Sequence, residues 1–179
     1  ELVEAGALVA ASRARYLKAL APHVAATAER LLGGPLEITL HQGWSAERSL
    51  LESVEASWTR DHERAVTHTG PHRADIAVRF AGAPARDRIS RGQQKLAAAA
   101  LLLGQLRCDA ELGSSVAALL VDDPAAELDA GNLERLLKEV VSLPAQLFVT
   151  ALDPKNPALA NLPAGHRFHV EHGSVTRLI

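Results

Sequence analysis

Ile89-Ser90-Arg91-Gly92-Gln93-Gln94-Lys95-Leu96 and Leu119-Leu120-Val121-Asp122-Asp123-Pro124-Ala125-Ala126-Glu127-Leu128-Asp129 are the two stretches on which the reading of this chain turns. In the first, Ser90 is a good N-cap for a helix that follows. The unpaired amides and dipole at that helix end favour an anion, and Gly92 lets the backbone approach a ligand closely. In the second, a continuous apolar run ends in two acids. Such a run suits a strand buried on both faces of a parallel sheet, whose carboxyl end points at the crevice where ligands bind. Magnesium on a nucleotide keeps several waters and takes few protein carboxylates. Asp122 is placed to hold one such water. Asp123, next along, is free to orient or deprotonate an attacking water. Each stretch alone reads as an ordinary capped helix or an exposed acidic turn. Together, with Asp122 lying 32 positions after Ser90, they read as half of a nucleotide site.

Outward from these stretches, the chain alternates helix and strand. Leu17, Leu20, Val24, Ala28 and Leu31 recur at helical spacing within residues 1–32, and Gly33-Gly34-Pro35 stops that helix. Leu36–Leu40 alternates as a strand, and 49–66 reads as a second helix with Leu50, Val54, Trp58 and Ala65 among its apolar positions. Gly70-Pro71 breaks the chain; 75–80 is a strand with Ile76, Val78 and Phe80 inward; 81–84 is a turn. A long helix follows over 91–107, then strands at 116–121 and 146–150 flanking a helix at 132–143. Strand, helix, strand with both strands apolar is a βαβ crossover and an α/β class. Residues 167–170 and 175–179 form a closing hairpin about His172-Gly173.

Composition bounds the function. The 179 residues are one domain or one large lobe, and 47% apolar content excludes a disordered chain. With 3% aromatic residues, the core must be built from Leu, Val and Ala. A net charge of −2 gives no global field for nucleic acid, although local arginine faces remain, including Arg13, Arg15 and Arg30 on the first helix. The alternative for those arginines is a solvated helical face. The single Cys108 fits a reducing cytoplasm. No apolar run reaches the roughly 18 residues of a membrane span, so no membrane role is expected. His41, His62, His68, His166, His169 and His172 lack ligand-grade spacing for zinc. The chain starts at Glu1 and has no methionine, which reads as a truncated or processed start.

Ser90-Arg91-Gly92-Gln93 resembles the signature motif of ATP-binding-cassette ATPases. Leu119–Asp123 resembles their Walker B strand, and Ala126-Glu127-Leu128-Asp129 their D-loop. Three variants narrow the branch. Asp123 stands where transporter ATPases usually carry glutamate. Phe148-Val149-Thr150-Ala151 lacks their switch histidine. Gly70-Pro71-His72-Arg73-Ala74-Asp75 lies shortly before the signature. This combination is similar to the RecF family of bacterial gap-repair proteins, related to the heads of chromosome-maintenance ATPases. The similarity runs from the first helix to the last strand.

The resemblance implies the C-terminal lobe of an ABC-type P-loop ATPase head, over 67–179, preceded by a helical arm region with a short strand, over 1–66. It implies ATP and Mg2+ as cofactors, with two heads sandwiching two ATP molecules in an ATP-dependent homodimer. On that reading Ser90, Gly92 and Gln93 face a partner's ATP. Asp122 serves the metal and Asp123 the catalysis on their own head. Asp129 sits at the dimer seam, and Thr150 stands at the switch position. His72 and Arg73 touch phosphate or DNA, or simply cap a surface turn. The implied setting is duplex DNA beside single-stranded gaps, with recombination mediator proteins and recombinase loading. The family's lysine loop, GxxxxGK[ST], does not occur in the chain and is expected ahead of Glu1. Two rivals remain open. One is a dimerisation or partner-binding lobe without ATPase activity. The other is the nucleotide-binding lobe of another ABC-type ATPase, such as a transporter's, against which the Asp pair and the missing histidine speak.

Overall fold

A computed structural model of the chain describes every residue except 114–116, 154 and 179. The chain divides into two compact units, Glu1–Ala117 and Ala118–Ile179. In the first, α1 spans Leu2–Leu32 and ends at Gly33 in the left-handed conformation, φ 75°, as a helix C-terminus favours. Its inner face is the expected stripe: Leu17, Leu20, Val24, Ala28 and Leu31 are all buried, with Thr27 among them. That stripe packs on α4, Arg91–Glu111, which buries Leu96, Ala97, Ala100, Leu103 and Cys108. Small residues set this spacing. A Cβ on Gly104 would lie 2.9 Å from the Cα of Val24, so the two backbones meet where no side chain fits. Helix α4 runs a turn beyond the expected Arg107, because no glycine stops it until Gly113, φ 84°.

The same unit holds an antiparallel sheet of β1, Leu36–His41, β2, Asp75–Phe80, and β3, Ala83–Pro84, in that order. Leu36 pairs with Phe80 and His41 with Asp75. The turn expected at 81–84 is tighter than a loop. Ala81 and Gly82 both have positive φ, and Phe80 pairs with Ala83, the two-residue hairpin whose twist matches its strands. Helix α2, Leu50–Arg64, starts on a reciprocal Ser49–Glu52 capping box and stops at Ala65. One inward assignment fails: Ile76 is 47% exposed. Trp58, an apolar position of α2, is 67% exposed. The buried face of α2 is Leu50, Ser53 and Ser57, and Trp58 instead stacks on His62 outside. Hydroxyl side chains thus share the packed face of α2 with Leu50. A short helix α3, Ala85–Arg88, leads to α4.

In the second unit, β4, Ala117–Val121, and β5, Ala145–Val149, are hydrogen-bonded neighbours, with α5, Ala130–Val141, between them in sequence. The backbone N–H of Thr150 donates to the carbonyl of Val121, 3.0 Å. Both residues lie at the carboxyl ends of their strands, so the strands run parallel and α5 is the expected crossover. Val116, expected to open β4, lies outside the described residues. Helix α5 buries Leu133, Leu136, Leu137 and Val140. The expectation of strands covered on both faces is not met within this chain: Leu120 is 75% and Phe148 51% exposed. Leu119, Val121, Leu147 and Val149, on alternate positions, are half-buried. The closing hairpin, β6, Arg167–Glu171, and β7, Ser174–Leu178, turns through His172 and Gly173 at positive φ as the sequence indicated; Ile179 lies outside the described residues. Among the described residues no helix is long and apolar enough to cross a membrane.

Candidate nucleotide site

The signature turn is built by helix capping. Ser90 has extended backbone, φ −67° and ψ 167°, and caps α4. Its Oγ accepts the Gln93 amide at 3.3 Å, and the Gln93 Oε1 accepts the Ser90 amide at 2.9 Å. A hydroxyl has one proton and two lone pairs. Here one lone pair is used, and among the described residues no acceptor takes the Ser90 proton. Gly92 follows in the first turn, and a Cβ placed there would meet nothing within 4 Å. Nothing in the packing of the described residues asks for glycine at this position. The open space above it is what close approach of a ligand needs.

The acid pair sits where β4 ends. Asp122 is exposed. Asp123 takes the left-handed conformation, φ 34° and ψ 57°, which lets Pro124 begin a short 3-10 turn, Pro124–Ala126. For a residue other than glycine this conformation costs about 1–2 kcal/mol, although aspartate tolerates it better than most. Thr150, just past β5, joins the pair. Its Oγ1 accepts the Asp123 amide at 2.9 Å and donates to Asp122 Oδ1 at 2.5 Å. Among the described residues Asp122 Oδ2 has no hydrogen-bond partner, and the residue is exposed, which leaves that oxygen available to a water or a cation. No group of three or more metal-type side chains occurs among the described residues. A hydrated Mg2+ carried on phosphates needs only one or two carboxylates, so this donor set fits it.

Asp129 is the N-cap of α5. Its Oδ1 accepts the Asn132 amide at 2.9 Å. That bond first, against some desolvation, holds its carboxyl below the usual carboxylate range, as do the Asn132 side chain, the Gly131 amide and the Arg135 charge. Asp129 is therefore an anion at neutral pH. The structure thus brings Asp122, Asp123 and Thr150 together in the second unit and places Ser90, Gly92 and Gln93 on one helix end in the first.

His72 and Arg73 lie exposed on a single 3-10 turn, Pro71–Arg73. Both reach back to one acceptor: His72 Nε2 and Arg73 Nε lie 3.2 and 2.9 Å from the Thr67 carbonyl. Arg13 donates to the Pro71 carbonyl at 2.6 Å and ties the turn to α1. Sequence reasoning missed Arg13 here, because no local pattern links it to a turn 58 positions away. It also missed that Thr150 contacts both acids. The available signal was a hydroxyl residue directly after the strand that pairs with the acid-bearing one.

No family model matches the chain. Curated relatives do. The chain is 41% identical over 156 residues to the DNA replication and repair protein RecF of Marinomonas sp., covering 86% of this chain and 42% of that protein. It is 39% identical over 178 residues to RecF of Stenotrophomonas maltophilia, covering 98% of this chain and 49% of that protein. Among solved structures, RecF bound to ATP, described as a recombination mediator of the RecFOR pathway, superposes with a TM-score of 0.77 at 24% identity, over 99% of this chain and 48% of that one. An SMC head bound to the C-terminal winged-helix domain of ScpA superposes with a TM-score of 0.56 at 15% identity, over 90% of this chain and 42% of that one. These two show the fold: an α/β lobe of an ABC-type ATPase head. The chain spans about half the length of the curated relatives it matches, and over that half its sequence places it in the RecF family.

Proposed function

We propose that this chain supplies the signature, Walker B and D-loop elements of a RecF-type ATPase acting in recombinational repair of DNA gaps in the cytoplasm. The observation that carries the proposal is the exposed Asp122 and its neighbour Asp123 at the carboxyl end of β4, both bonded to Thr150 at the end of the adjacent strand. Asp122 would hold the hydrated magnesium that accompanies ATP, and the ion would supply positive charge against the phosphates. Asp123 orients the attacking water and takes its proton as general base. Thr150 stands at the same nucleotide-facing end. Ser90 donates its unused hydroxyl proton to the terminal phosphate of a partner head, beside the amides around Gly92, and Gln93 lies alongside. Asp129 meets the partner at the seam. ATP thereby holds two copies together. His72 and Arg73 grip the phosphate backbone of duplex DNA near single-stranded gaps, without reading bases. Recombination mediator proteins then act on the DNA-bound dimer to load recombinase.

The test joins this chain to the other half of the Stenotrophomonas relative and measures ATP turnover and sedimentation with and without Mg2+. ATP-dependent dimers with Asp123-dependent hydrolysis support the reading. The second reading, a lobe that only binds a partner, is favoured by one observation: none of these 179 residues forms a GxxxxGK[ST] loop. On that reading the joined protein dimerises, but Asp123→Asn leaves ATP turnover unchanged.

A further inference from the structure

We infer that Thr150 is a positioning residue for the acid pair and not a phosphate contact; the inference rests on the nucleotide-site reading above. The argument is a count of protons and lone pairs. A threonine hydroxyl has one proton to give. In this structure it is given to Asp122 Oδ1, at 2.5 Å. A lone pair of the same oxygen accepts the Asp123 amide, at 2.9 Å. A phosphate oxygen at neutral pH offers lone pairs and needs a donor. With its proton on Asp122, Thr150 has none to offer.

What the hydroxyl does instead is fix two consecutive acids at once. The Asp122 carboxylate is held through Oδ1, which leaves Oδ2 without a partner among the described residues. The Asp123 amide is held where its residue adopts φ 34°, a conformation that persists only when its surroundings impose it. The Thr150 amide adds a third tie, to the Val121 carbonyl at 3.0 Å. Residues 121, 122 and 123 are therefore each hydrogen-bonded to residue 150, by backbone, side chain and side chain in turn. A branched side chain suits this position at a strand end. Its hydroxyl, rather than its methyl, makes both bonds to the acids. The strand next to the acid strand thus carries the part that aims the acids, and the phosphate is left to the signature turn of the other head.

Two variants separate the hydroxyl from the shape: Thr150→Val keeps the branched form and loses the hydroxyl, and Thr150→Ser keeps the hydroxyl. The first arm uses this chain alone, labelled with nitrogen-15, and reads amide exchange at Asp123. Thr150→Val should speed that exchange by about 10-fold, as an amide loses its acceptor, with the remaining amides of β4, β5 and α5 unchanged. Thr150→Ser should stay near the parent. The second arm uses the joined RecF polypeptide. Thr150→Val should lower kcat about 10- to 100-fold, the scale of a misaimed catalytic group, at unchanged KM for ATP, and Thr150→Ser should recover most of it. Asp123 exchange and kcat both at parent values in Thr150→Val overturn the inference. So does Thr150→Ser failing like Thr150→Val, or a rise in KM alone, the mark of a lost phosphate contact. If Asp123→Asn turns over ATP like the parent, the nucleotide-site reading fails instead, and the exchange arm still decides whether Thr150 holds the acids.

Discussion

Ser90 and Gln93 cap one another: each side chain accepts the other's backbone amide, at 3.3 and 2.9 Å. The residues expected to meet a partner's ATP are thus also the residues that begin α4. On the proposed reading, folding and ligand binding share atoms here, but they do not compete for all of them. The cap uses one lone pair of Ser90 and leaves its proton without an acceptor among the described residues. Stability and binding should therefore separate under mutation.

Ser90→Ala should cost about 1 kcal/mol of stability, the usual loss when an N-cap hydroxyl is removed. Urea unfolding of the chain, followed by circular dichroism, measures it. A loss near zero would mean that the cap does not form in solution.

Gly92→Ala should do the opposite to the two properties. A Cβ there meets nothing within 4 Å, and alanine is about 0.5–1 kcal/mol better than glycine within a helix. The chain should be as stable as the parent or slightly more so. ATP-dependent association of the joined RecF polypeptide should weaken, because the methyl group fills the space a phosphate approaches. Stability lost together with unchanged association would show that Gly92 serves the fold.

Asp61 offers a pH test away from the site. Its side chain is 13% exposed. Burial alone would raise its pKa, but the His68 side chain and amide and the Ser57 hydroxyl, all bonded to it, overcome that and hold it at about 2, against 3.8 ordinarily. A folded pKa below the unfolded one means that the stabilisation is present above about pH 4 and is lost as pH falls through about 2. Acid unfolding of Asp61→Asn should lack that component, so the gap between parent and variant should narrow between pH 4 and 2. A constant gap over this window would show that the carboxylate is not held this way.

The sequence showed some of these features more clearly than others. The stripe Leu17, Leu20, Val24, Ala28 and Leu31 was legible because helical period and burial coincide along α1. The crossover from β4 through α5 to β5 was legible because two apolar strand-length runs flank a helix-length segment. Ile76 was misplaced because apolarity alone does not say which face has a neighbour; in α2, likewise, Ser53 and Ser57 and not the apolar Trp58 took the packed face. The site was half legible. Ser90, Gly92, Asp122 and Asp123 stand in contiguous motifs. The roles of Arg13 and Thr150 depend on contacts 58 and 27–28 positions away in sequence, and no local pattern encodes those.

The most direct test of the nucleotide-sandwich reading is sedimentation velocity of the joined RecF polypeptide with ATP and Mg2+, comparing the parent with Asp123→Asn and Ser90→Arg. A base removed from Asp123 should slow hydrolysis and prolong the ATP-bound dimer. A guanidinium in place of the Ser90 hydroxyl should fill the phosphate approach and leave monomers at all ATP concentrations. A Ser90→Arg dimer as stable as the parent's, with Asp123→Asn dissociating at the parental rate, would contradict the account.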